Sequence, residues 1–156
     1  MEYRVPFREG VVYREAKPTG QFAHENFPEA RYAIDFVVDL DTEVLAAAEG
    51  KVFSVQRGST THFRPQDLIG MDIEEIKKLA NKHTNYVCIE HPDGTFTEYL
   101  HLGPDVPVSE GQDVESGKPL GYTGQSGVMS ESHLHFNAFK LTEGGIRSIP
   151  VNLCEK

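Results

Sequence analysis

The sequence predicts an all-β fold: a compact two-sheet β-sandwich with one short inserted α-helix. Three observations lead there. Glycine-bearing turns punctuate the chain, among them REG, AEG, HPDG, SEG, ESG, TGQSG and TEGG. Between them lie short apolar runs such as YAIDFVV, KVFSV, NYVCIEH and FTEYLHL. This is the rhythm of short strands closed by turns. A single stretch, residues 71–83, changes to helical spacing.

The 156 residues suit one domain, expected to span 1–156, with enough chain for a real core. The formal charge of −9 argues against a nucleic-acid binder, which needs a basic footprint. No run approaches the roughly 20 apolar residues of a bilayer span. The first residues, MEYRVPFREGVVYREAK, are charged throughout and lack an apolar export core. The chain is therefore expected either to stay in the cytosol or to have lost an export segment. A monomer is the favoured state.

Taken in order, YAIDFVV alternates Tyr32, Ile34 and Phe36 with Ala33, Asp35 and Val37, the period of a strand. EGKV marks a turn into the next strand. In MDIEEIKKLANKH, Ile73, Ile76 and Leu79 share a helical face. Asp72 can cap the first turn and Glu75 can complete an acidic capping box, which predicts a helix over 72–82. This helix interrupts two strands, so it reads as an insertion over about 66–83. The loop at 57–70 and the helix are expected to wall a groove. HPDGT between YVCIE and FTEYL predicts a hairpin, since Asp-Gly suits a turn with positive φ. The stretch VPVSEGQDVESGKPLGYTGQSG holds two close turns and resembles the hammerhead turns of lipoyl-type sandwiches. ESHLHFNAF predicts a strand with His133 and His135 on one face and Leu134 and Phe136 on the other.

Chemistry rests on the histidines at 24, 62, 83, 91, 101, 133 and 135. Catalytic zinc takes three protein ligands from His, Asp or Glu and keeps a position for water. His133 and His135 could serve it or stand as two surface imidazoles. Asp35, inside an apolar run, is costly to bury alone. It wants a metal, a cationic partner such as Arg31, or water. His101 reads by spacing as a half-exposed strand residue, and His24 as a loop residue. His62, His83 and His91 read as structural or solvated. Cys88 reads as a small buried hydrophobe; a disulfide to Cys154 stays open, since sequence does not establish its geometry. No HExxH motif is present.

The order YAIDF, EGKV, NYVCIEHPDGTFTEYLHL, GKPLGYTG, SHLHF resembles the lysostaphin-type (LytM-like) zinc metallopeptidases, which cut peptide bonds in peptidoglycan. The resemblance runs from about residue 5 to about residue 151. It implies zinc bound by His24, Asp35 and His135, with His101 and His133 as catalytic non-ligands. It implies metal-activated water as the nucleophile and a peptidoglycan peptide as substrate. It also favours the cell envelope or a secreted location. One departure stands out: many members place the first ligand four residues before the aspartate, where this chain has Arg31. His24, eleven residues before Asp35, fits a subset with an upstream ligand. The competing expectation is an inactive relative that binds a partner or wall material and regulates other hydrolases. A lipoyl-like carrier with Lys118 as the modified residue would leave the histidines unexplained.

Overall fold

Alternation of apolar and polar side chains decides the two faces of the main sheet. The computed structural model describes residues 2–16, 28–129 and 131–154. Its strands are β1 (Tyr3–Arg4), β2 (Arg14–Ala16), β3 (Ile34–Val37), β4 (Glu43–Leu45), β5 (Gly50–Gln56) and β6 (His62–Phe63). A helix α1 (Ile73–His83) precedes β7 (Asn85–Glu90) and β8 (Thr95–Leu102). Then follow β9 (Asp113–Val114), β10 (Pro119–Tyr122), β11 (Gly127–Val128), β12 (His133–Thr142), β13 (Gly145–Ile149) and β14 (Leu153–Cys154).

The main sheet has eight strands in the order β2-β3-β12-β8-β7-β5-β9, with β13 beside β12. All its pairings are antiparallel. Its inner face carries Phe36, Leu134, Phe136, Tyr99, Val87 and Ile89, all essentially without solvent contact. Across the core stand Val44 and Leu120 from the β4–β10 pair, with Val106 and Val108. This is the predicted sandwich of a large and a small layer. Burying each such side chain contributes about 1.5–3 kcal/mol, so the inner face fixes strand register more firmly than any surface polar contact.

The HPDG segment forms the predicted hairpin between β7 and β8. The His91 amide donates to the Thr95 carbonyl at 2.8 Å, and Gly94 has φ 86. The segment expected to be an insertion contains a 3-10 turn (Pro65–Leu68) and α1. Asp72 Oδ1 accepts from the Glu75 amide at 2.9 Å, so the cap forms as its sequence predicts. Ile76 is buried on the inward face of α1. No helix of the described residues is long and apolar enough to cross a membrane.

Candidate active site

Register brings the first two site residues together. Leu134 and Phe136 must face the core, so His133 and His135 face outward from it, and β12 pairs with β3 so that His135 lies directly opposite Asp35. His135 Nδ1–H donates to Asp35 Oδ1 at 3.1 Å. His133 Nε2 lies 3.7 Å from the same oxygen. Asp35 and His135 are both buried. Arg31 stands elsewhere, its guanidinium 5.7 Å from the Tyr32 ring centroid.

His101 arrives by a different route. Simple alternation along β8 puts it on the core side with Tyr99. At this point the pairing with β7 slips: Tyr86 opposes Leu100, and Asn85 opposes Leu102. His101 is the extra residue of that bulge, with φ 69. The left-handed backbone turns its ring to the groove side, 4.9 Å from the His133 ring and 6.1 Å from the His135 ring. Nothing in the alternation pattern signals this.

Backbone carbonyls fix the tautomers of both flanking histidines. His101 Nδ1–H donates to the Ser126 carbonyl at 2.7 Å, and His133 Nδ1–H donates to the Glu131 carbonyl at 2.8 Å. In the neutral rings each Nε2 is then left with its lone pair. Burial, and then the neighbouring His133 and His135, pull His101 down to about 3. Burial also lowers His133, though Asp35 and the Glu131 carbonyl oppose it. His135 differs. Burial disfavours its cation, but the bond and charge of Asp35 outweigh that and raise its pKa.

These side chains line a groove of about 550 Å³. Ile76, Ala80 and Asn81 of α1 and Pro65 of the preceding turn form part of its wall, as the position of the insertion suggested. Sequence reasoning passed over Glu98, which lies on the groove floor. Its signal was visible: by alternation it shares a face with Phe96 and Leu100 rather than with Tyr99.

The donor chemistry suits a metal. Two ligands of a tetrahedral zinc with bonds of about 2.0–2.1 Å stand about 3.3 Å apart. The 3.1 Å between Asp35 Oδ1 and His135 Nδ1 is close to that separation. Among the described residues, no three His, Cys, Asp or Glu side chains are arranged to hold an ion. His24, the expected third ligand, lies outside the described residues. The other described histidines are not among the side chains that line the groove. His62 Nδ1–H donates to the Gln125 carbonyl, His83 packs edge-on against Phe63, and His91 is buried at the hairpin. Cys88 and Cys154 are both free thiols, and burial, then Glu98 and Glu90, push Cys88 up to about 12.

The sequence model of Peptidase family M23 matches residues 29–148. The chain belongs to peptidase family M23. Its relatives include the peptidoglycan DD-endopeptidase ShyA of Vibrio cholerae, 37% identical over 68 residues, which are 44% of this chain and 14% of ShyA. The chain thus spans only a small part of that relative's length. Among solved structures, a zinc-containing peptidase from Vibrio cholerae superposes with a TM-score of 0.60 at 19% identity, over 99% of this chain and 41% of that one. The catalytic domain of the prophage-encoded M23 protein EnpA from Enterococcus faecalis gives 0.61 at 20% identity, over 95% of this chain and 94% of that one. At such identities the structural likeness speaks for the fold.

Proposed function

We propose that the chain is a zinc-dependent endopeptidase that hydrolyses peptide bonds in peptidoglycan stem peptides or cross-bridges, in the envelope or outside the cell. The observation that carries this reading is the buried Asp35–His135 pair, 3.1 Å apart, flanked by two further imidazoles in one groove. Asp35 and His135 would hold the metal together with His24. Zinc bound there would supply Lewis acidity toward the scissile carbonyl and make a nearby water a better nucleophile at neutral pH.

His101 and His133 do the proton work. Their Nδ1–H groups are committed to carbonyls, so each presents Nε2 toward the groove chemistry. One accepts the proton of the attacking water at its free Nε2 and, as the imidazolium, passes it to the departing amine; the other would donate to the developing oxyanion only in its doubly protonated form. Membership of M23 and the similarity to a peptidoglycan DD-endopeptidase support the substrate class. Filled positions at Asp35, His101, His133 and His135 favour an enzyme over an inactive relative.

The test is digestion of purified cell walls by the zinc-loaded protein, with mass spectrometry of the released muropeptides. New peptide termini at one defined bond are expected. Intact cross-links after prolonged digestion by the zinc-loaded protein would contradict the proposal.

A further inference from the structure

The groove floor continues beyond the histidines. Along β12, Asn137 follows His135 on the same face, about 7 Å further along the strand. Asn137 lies opposite Glu98 on β8, and Glu98 in turn lies opposite Cys88 on β7. One strand step beyond, Phe139 stacks on Phe96 with ring centroids 5.1 Å apart. Glu98 is therefore a carboxylate set in an apolar floor between Leu100, Cys88 and the Phe96–Phe139 pair, one step from Asp35 and His135.

Its surroundings are built to hold it. Asn137 Nδ2 donates to Glu98 Oε1 at 3.0 Å and to the Glu29 carbonyl at 2.7 Å. Asn137 Oδ1 accepts from Ser148 at 2.8 Å, which fixes the amide's orientation. Among the described residues no Lys or Arg forms an ion pair with this carboxylate; the charge that favours it is that of the nearby His135 imidazole. Lys77, on the wall above, lies 4.0 Å from Glu29. Burial raises the Glu98 pKa, the Asn137 hydrogen bond and His135 oppose that, and the neighbouring Glu29 charge adds to it. A strand in this place is better served by an apolar residue, since a half-buried carboxylate with no Lys or Arg beside it gives up hydration.

On the reading of the groove as a peptide-cleaving site, we infer that Glu98 is its specificity residue and receives a primary ammonium carried by a side chain of the bound peptide. Asn137 occupies Oε1, which leaves Oε2 to accept. A compact ammonium satisfies one oxygen, whereas a guanidinium wants both. The aliphatic stem of such a side chain would lie on Leu100 and the stacked Phe96–Phe139 pair, which bury methylene groups well.

The test uses two peptides identical except that one carries a free side-chain amine and the other its N-acetyl form. Binding to the zinc-loaded protein is measured by calorimetry and cleavage by kcat/KM, for wild type and Glu98→Gln. Gln keeps the shape and can still accept from Asn137, so folding is preserved and the variant's Tm should not fall. Wild type is expected to prefer the free amine by about tenfold or more, as for a partly desolvated charge pair. In Glu98→Gln that ratio should collapse toward one. A purely structural role would lower both peptides together and leave the ratio intact. Equal binding of the two peptides by wild type, an unchanged ratio in the variant, or no binding of either peptide would overturn the inference. Selective binding without cleavage would instead overturn the hydrolase reading and leave the role of Glu98 standing.

Discussion

At the scale of single residues, the site is a division of labour among imidazoles. His135 faces a carboxylate, while His101 and His133 face backbone carbonyls. On the proposed reading, that difference in partners would separate a metal ligand from proton carriers. Replacing His101 or His133 by Gln should lower kcat/KM by about 10²–10⁴-fold, the usual size of a general acid–base contribution. Zinc content should stay at the wild-type level, since neither is a proposed ligand. Full activity in either variant would contradict the assigned role. The strand alternation of SHLHF made the shared face of His133 and His135 legible in the sequence, whereas the place of Asp35 opposite His135 came only from the strand register. The role of each residue came only through resemblance, because spacing alone leaves an imidazole's partner open.

At the scale of elements, the decisive feature is the bulge at the end of β8. A left-handed His101 costs about 1–2 kcal/mol relative to ordinary strand backbone. It persists because β11 and the turn before it hold the ring. Gly127, with φ +84, lets β11 approach so closely that an added Cβ would stand 2.1 Å from Thr84 Oγ1 and 3.4 Å from His101 Nδ1. Gly127→Ala should therefore shift the Ser126 carbonyl and loosen His101. The expected result is a loss of about 1–3 kcal/mol in stability and a fall in kcat, with zinc still bound. Thermal melts and kinetics of the variant check this, and wild-type behaviour in both would contradict it. The hairpin and α1 were readable beforehand because Asp-Gly and an N-capped amphipathic run are local signals. The bulge was not, because it comes from the competition between two neighbouring strands.

At the scale of the whole molecule, the sheet separates chemistry from support. The groove lies on one face, and a buried polar network runs on the other. There, His91 bonds the Glu49 carbonyl at 2.7 Å and Thr97 Oγ1 at 2.9 Å. Burial lowers the His91 pKa below its ordinary 6.5. As pH falls below about 6.5, the unfolded chain takes up a proton that the folded chain refuses, so stability falls with it. His101 and His133 push the metal-free protein the same way, while His135, with its raised pKa, opposes them. Urea midpoints at pH 7.5 and 5.5 should therefore differ less in His91→Gln than in wild type. An unchanged pH difference would contradict the account. That variant should also be less stable at neutral pH, by about 1–3 kcal/mol, because a buried partner goes unsatisfied. Sequence reasoning found the sandwich, since turns and alternation repeat along the whole chain. It gave His91 no more than a structural or solvated role, since a lone histidine beside a turn carries no sign of what lies beneath it.

The measurement that bears most directly on the central claim is zinc content by elemental analysis of purified wild type, Asp35→Ala and His135→Ala, each loaded with zinc and exchanged free of excess. The account predicts about one ion per chain in wild type and a marked loss in both variants while each remains folded. Stoichiometric zinc retained by either folded variant, or none held by wild type, would contradict it.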